Sequence, residues 1–143
     1  RTDVPILLKA DGARTRWLKA PAADEPQVPA ASDLVVPVAS VRAVGEPIDD
    51  EHVHRPDRVA SLLDRPVGSQ IRPTDIVSVL SDERGGLKDV PDGARVVPLL
   101  NMVDDDRLRS MAEEIAAGLL ADGRIERVVL GRMDHGEAVA VVE

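Results

Sequence analysis

At 143 residues the chain is long enough for one compact domain with a continuous core, and Val, Leu, Ala and Ile supply that core amply. With 26 acidic against 18 basic residues, a formal charge of -8, no Phe or Tyr and only Trp17 as an aromatic, it offers neither the positive groove nor the stacking platforms of a nucleic-acid binder, and it repels anionic membranes. The lack of Cys excludes disulfides and thiolate metal sites. No apolar run is long enough to span a bilayer, and the opening Arg1-Thr2-Asp3 is no secretory signal, so a cytoplasmic protein is expected.

Val4-Pro5-Ile6-Leu7-Leu8 is a continuous apolar run that ends at Lys9-Ala10-Asp11-Gly12, the pattern of a buried strand closing in a turn. Pro5 fits only the start of such a strand or an edge. From Ala13 to Ser32 no period is visible, and a long loop is expected. Asp33 to Ser40 reads as a second strand, with Leu34, Val35, Val36 and Val38 apolar on both faces and Pro37 marking an edge or bulge. After the Gly45-Glu46-Pro47 turn, the sequence predicts helices over Pro56 to Asp64 and Pro73 to Glu83, each with Pro at its first turn. Their buried stripes are Val59, Leu62 and Leu63, then Ile76, Val77 and Leu80.

Gly85-Gly86-Leu87-Lys88 breaks the second helix, and Pro91-Asp92-Gly93 turns the chain into a strand over Ala94 to Leu100. The clearest helix follows, from Asp105 to Asp122, with Leu108, Met111, Ala112, Ile115, Ala116 and Leu119 on one face and Gly123 as the stop. Ile125 to Gly131 and Glu137 to Val142 read as a strand pair joined by Asp134-His135-Gly136. The expected fold is α/β and three-layer: a mostly parallel sheet with flanking helices and a C-terminal strand pair, making one domain of residues 1–143. In such a sheet, ligands bind beyond the carboxyl ends of the strands, so Asp11, Asn101 and Gly131 are expected along one rim.

Asn101-Met102-Val103-Asp104 has the spacing of the guanine-reading Asn-Lys-x-Asp tetrad, with Met in place of Lys. There Asn supports the loop and the carboxylate accepts from the base edge. An acid at a helix start serves equally well as a cap. Asp11 stands where a strand-end carboxylate holds Mg²⁺ or its water, and an Asp-Gly turn accounts for it as well. His52-Val53-His54 places two imidazoles on one side of an extended segment, a metal reading that an acidic loop entering the Pro56 helix rivals. No catalytic residue is assigned. No Gly-x-x-x-x-Gly-Lys-Ser/Thr phosphate loop occurs in the chain.

Several strings occur in order: Lys9-Ala-Asp-Gly-Ala-Arg14, Leu18-Lys-Ala-Pro-Ala22, Glu25-Pro26, Gly45-Glu-Pro-Ile48, His52-Val-His-Arg-Pro56, Gly85-Gly-Leu-Lys88 and Leu99-Leu-Asn-Met-Val-Asp104. Together they resemble the YqeC-type accessory proteins of selenium-dependent molybdenum hydroxylases, P-loop NTPase-like (Rossmann-like) proteins. The resemblance runs from Val4 to Gly131, with Lys9 standing for the family's Glu and Met102 for its Lys. It implies that Asn101 and Asp104 form the base-side pair, that Asp11 is the acidic strand end near Mg²⁺, and that Lys19, His54, Arg55 and Lys88 are loop residues of unassigned role. It also implies GTP or ATP as cofactor, a molybdenum hydroxylase or its maturation proteins as partner, and a domain whose phosphate loop lies upstream of Arg1. The alternative is a non-catalytic interaction scaffold that docks a partner through the loop from Ala13 to Ser32 and the Gly85-Gly86-Leu87-Lys88 segment; a small metal enzyme using His52 and His54 is a third reading.

Overall fold

Short strands alternate with three helices in the computed structural model, which describes residues 4–143. The opening Arg1-Thr2-Asp3 therefore lies outside the described residues. In chain order come β1 (Leu18–Lys19), β2 (Leu34–Val35), β3 (Val38–Ser40), β4 (Val53–His54), α1 (Pro56–Leu63), α2 (Pro73–Ser81), β5 (Arg95–Val96), β6 (Leu99–Asn101), α3 (Asp106–Leu120), β7 (Val128–Arg132) and β8 (Glu137–Val142). The main sheet has the order β3-β6-β7-β8, parallel across the first three strands, with β8 antiparallel at its edge. The α/β class, the mostly parallel sheet, the flanking helices and the C-terminal strand pair are as expected.

Each of the two long strands expected around β3 and β6 is broken in two. Leu34 to Val35 pairs with Arg95 to Val96, Val38 to Ser40 pairs with Leu99 to Asn101, and Pro37 and Pro98 stand opposite each other at the break. Proline has no N–H for a ladder, so the pairing stops there and resumes one residue later. The chains stay together through Val97 N to Val35 O at 3.0 Å and Leu99 N to Pro37 O at 2.9 Å.

The apolar run Val4 to Leu8 departs from expectation. It enters no sheet, and its side chains are exposed, Leu7 to 94%. An apolar segment becomes a strand only when a neighbouring backbone takes its N–H and C=O groups, and no ladder among the described residues does so. The expected loop from Ala13 to Ser32 contains β1, which pairs in parallel with β4 and joins the main sheet through Ser40 N to Trp17 O at 2.9 Å.

The helices pack as neighbours, α1 on α2 and α2 on α3, with α2 against β3 and α3 against β7 and β8. Val77 of α2 sits so close to α3 that a Cβ on Gly118 would lie 2.8 Å from its Cγ2. The core between helices and sheet is aliphatic: Ala39, Leu100 and Leu130 from the strands meet Ile76, Leu80, Ala112, Ile115 and Leu119. Of the three expected layers, the sheet and one helical layer lie within the described residues. The next lateral row, Val38, Leu99, Val129 and Val141, points to the opposite face, and its outer members are 52% and 53% exposed. The ends of β3, β6 and β7 bring Ser40, Asn101 and Arg132 to one rim.

Candidate functional site

Asn101 closes β6, and its Oδ1 accepts the backbone N–H of Met133 at 2.9 Å, which ties the strand end to the turn between β7 and β8. Met102 then takes a left-handed conformation (φ 63°), and Ser40 Oγ lies 3.0 Å from its sulfur. A non-glycine residue in that region is costly unless its surroundings hold it. Asp105, not Asp104, caps α3, accepting Leu108 N at 2.8 Å. Asp104 is thereby left to face Arg42, which donates to Oδ2 from Nη2 at 2.8 Å and Nε at 3.1 Å. Its Oδ1 faces the buried Nε of Arg132 at 3.5 Å. The side-chain bonds from Arg42 outweigh the opposing effect of burial, and with the charge of Arg132 they hold the Asp104 carboxyl below its ordinary value. A shallow cleft of about 170 Å³ opens beside it, lined by Val103, Asp104, Asp105, Arg109, Arg132 and Glu137 among others.

The remaining residues singled out in the sequence converge elsewhere, around the loop of residues 10–27. Lys19 projects from β1 and is largely covered. Its ammonium lies 3.0 Å from Asp11 Oδ2 and 3.3 Å from Glu25 Oε1, and it donates to Gly12 O at 2.9 Å. Arg55 approaches the same Glu25 oxygen at 3.2 Å from the start of α1, where its own backbone is left-handed (φ 60°). Its Nη1 also lies 2.5 Å from His54 Nε2. Guanidinium can only donate, so that nitrogen accepts and His54 is the neutral Nδ1–H tautomer. Burial is the leading cause that holds His54 below its ordinary titration range, and the charges of Arg55, Lys19 and Arg14 add to it. Lys88, at the end of the Gly-Gly-Leu-Lys string, donates to Ala23 O at 3.2 Å and to Glu25 O.

Asp11 as it stands does not fit a divalent cation: a metal there would meet the Lys19 ammonium, 3.0 Å from the carboxylate. The two imidazoles of the metal reading also part company. His52 lies between Asp49 Oδ1, 2.7 Å from Nδ1, and Glu46 Oε2, 3.2 Å from Nε2, whereas His54 faces a guanidinium. Asp49, Glu51 and His52 do offer ligand atoms within 4.8 Å of one another, but His54 is not among them.

Glu25, Ser40, Arg42 and Arg132 were not singled out from the sequence as site residues. Ser40 joins the two groups. Its N–H reaches Trp17 beside Lys19, while its hydroxyl accepts Arg42 N at 3.1 Å and touches Met102. The one signal available was position: Ser40 ends a strand whose C-terminus faces the rim.

The family model described as YqeC protein matches residues 1–57. An uncharacterized YqeC protein of Escherichia coli K12 is 29% identical over 135 residues, which cover 94% of this chain and 52% of that protein. Both matches point the same way: the chain is similar to the YqeC family. It spans about half the length of the curated relative it matches. No solved structure matches it. The part matched by the YqeC model holds Asp11, Lys19, Glu25, His54 and Arg55, so all but Lys88 of the second cluster falls inside it. The Asn101 to Asp104 rim lies outside that part. Among the described residues no helix is long and apolar enough to cross a membrane.

Proposed function

We propose that this chain is a member of the YqeC family and the base-side part of a cytoplasmic nucleotide-binding accessory factor that serves the maturation of a selenium-dependent molybdenum hydroxylase. GTP or ATP is its cofactor, with Mg²⁺ arriving on the phosphates. The observation that carries the reading is the release of Asp104 from helix capping by Asp105, so that its carboxylate stands at the strand-end rim over a cleft. Arg42 holds Oδ2, while Oδ1, 3.5 Å from Arg132 Nε, is the oxygen that would accept from a base edge. Asn101 supports the loop beneath it.

The test is binding of labelled GTP and ATP, with magnesium, to the complete gene product and to its Asp104→Ala variant. Loss of binding in the variant supports the reading. Binding of neither nucleotide by the complete protein overturns it.

A non-catalytic docking scaffold is the second reading, and the pinned loop of residues 10–27 favours it. Lys19, Arg58 and Lys88 fasten its backbone from three directions, so it is presented as a preorganised surface. Capture of the molybdenum hydroxylase or its maturation proteins by the wild type but not by a loop variant, with no nucleotide bound, is its distinguishing result.

A further inference from the structure

We infer that Lys19 and Arg55 form a cradle for a small phosphate-bearing ligand, and that the Glu25 carboxylate occupies that cradle in the ligand's place. The inference stands whether or not Asp104 reads a base, because it rests on a different set of atoms.

Among the described residues, the donors to the Glu25 carboxylate fall on one oxygen. Oε1 accepts Ala22 N at 3.2 Å and lies 3.3 Å from Lys19 Nζ and 3.2 Å from Arg55 Nη1. One backbone N–H, one ammonium and one guanidinium converging on a single oxygen is the donor set that recognises a phosphate oxygen. A phosphate brings further oxygens, so it can engage the rest of the Arg55 fork as well as these donors. The cradle lies at the start of α1, whose first residue is Pro56 and whose N-cap, Arg55, supplies no side-chain cap. The dipole at that helix end adds to the positive field. Arg14 is near enough to act on His54 and adds another charge. Lys19, Arg55 and Arg14 there face the two carboxylates Asp11 and Glu25, a local excess of positive charge in a chain carrying -8 overall.

Apart from the Ala22 N–H that Glu25 Oε1 accepts, the loop is held by contacts that do not involve the Glu25 side chain. Lys88 holds the carbonyls of Ala23 and Glu25, Arg58 reaches Pro21 O at 3.4 Å, and Gln27 N donates to Ala10 O at 2.9 Å. These contacts are to backbone and survive when the carboxylate swings out. Glu25 is 23% exposed and shares its Oε1 between Lys19 and Arg55, whereas Asp11, 27% exposed, pairs with Lys19 at 3.0 Å, so Glu25 is the carboxylate whose departure frees both cations. Neutral His54 accepts from Arg55 and orients the guanidinium without adding a competing negative charge.

The experiment titrates the chain with sodium phosphate against sodium chloride at matched ionic strength, following the Ala22 amide, the His54 ring and the Glu25 carboxyl carbon by NMR. Saturable movement of all three is expected. Glu25→Gln, which keeps the shape but removes the competing charge, tightens phosphate binding about tenfold, the scale of one charge-assisted contact. Lys19→Ala and Arg55→Ala abolish it. Binding by Glu25→Gln no tighter than wild type, with the Gln27 amide still at its native position, overturns the inference. If Glu25→Gln disorders the loop, the unsubstituted chain decides: a Glu25 carboxyl carbon that stays still while phosphate saturates the other signals, or no saturable response at all, overturns it equally.

Discussion

Arg42 grips Asp104 across 62 positions of sequence, with two donors on one carboxylate oxygen. That contact joins the turn after β3 to the loop after β6 and sets the direction of the carboxylate at the rim. Arg42→Ala should raise the Asp104 titration midpoint toward the ordinary 3.8. A carbon-detected pH titration of the side-chain carboxyl reads this directly, and an unmoved midpoint would show that Arg132 alone suffices. A carboxyl depressed in the folded state adds stability above its unfolded pKa and loses it as pH falls through the folded value. Wild type and variant should therefore converge in stability at strongly acid pH.

Asp75 is the most buried acid among the described residues, 3% exposed, and it holds the start of α2 to the segment before it. Its Oδ2 accepts Arg72 N at 2.8 Å and pairs with Arg65, while Oδ1 accepts Arg72 Nη2 at 3.0 Å. Burial pushes its pKa up, but the Arg72 bonds and the Arg65 charge together outweigh it and keep it below 3.8. Asp75→Ala strands the half-buried Arg65 and should cost about 3 kcal/mol at pH 7 in urea denaturation. The difference should narrow as pH falls below 3.8, where the wild-type carboxylate becomes protonated.

His52 and His54, two residues apart, should titrate on opposite sides of 6.5. The hydrogen bond to Asp49 is the leading cause that raises His52, against burial, with the Asp49, Glu46 and Glu51 charges assisting. Burial leads the lowering of His54. The stability from His52 is fully present below 6.5 and fades as pH rises through its raised folded value. That from His54 is present above 6.5 and fades as pH falls through its lowered one. Proton NMR of the ring signals should show two separated midpoints, and Asp49→Asn should move only the upper one.

The paired glycines after α2 are required by close approach. A Cβ on Gly85 would lie 2.0 Å from Val79 O, and one on Gly86 would lie 2.3 Å from Leu80 O; both obstacles are backbone. Each Gly→Ala change should destabilise the chain by about 1 to 3 kcal/mol, whereas Gly123→Ala, with open space around it, should be close to neutral. Leu100→Ala in the centre of the sheet, fully buried, should cost about 2 to 5 kcal/mol. Thermal melts of the four variants should fall in that order of groups.

Helix α3 was legible because its apolar spacing is long enough to leave one interpretation, and its ends at Asp106 and Leu120 fall within two residues of the expectation. β1 and β4 were not, since a two-residue pairing has no period to see. Val4 to Leu8 misled for a different reason: an apolar run records what a segment would bury, not whether a neighbour is there to receive it. At the site, the resemblance drew attention to Lys19, His54, Arg55 and Lys88 one by one. Their convergence on Glu25 could not be read, because it depends on where α1 and the Gly-Gly turn carry the chain. Arg42 and Arg132 carried no mark among the many arginines of this sequence.

Lys88 meets the Ala23 carbonyl across 65 positions, and everything between them must be in place before that bond can close. Closing it carries the entropy of a long separation, which the docking of α1 and α2 reduces by bringing its ends together. Leu18 and Ala20 of the loop of residues 10–27 are buried in the aliphatic core, whereas residues 22–27 are held by polar bonds near the surface, so that stretch can open while the core stays shut. The energetic cost of remodelling this corner of the molecule is thus separate from the cost of unfolding it.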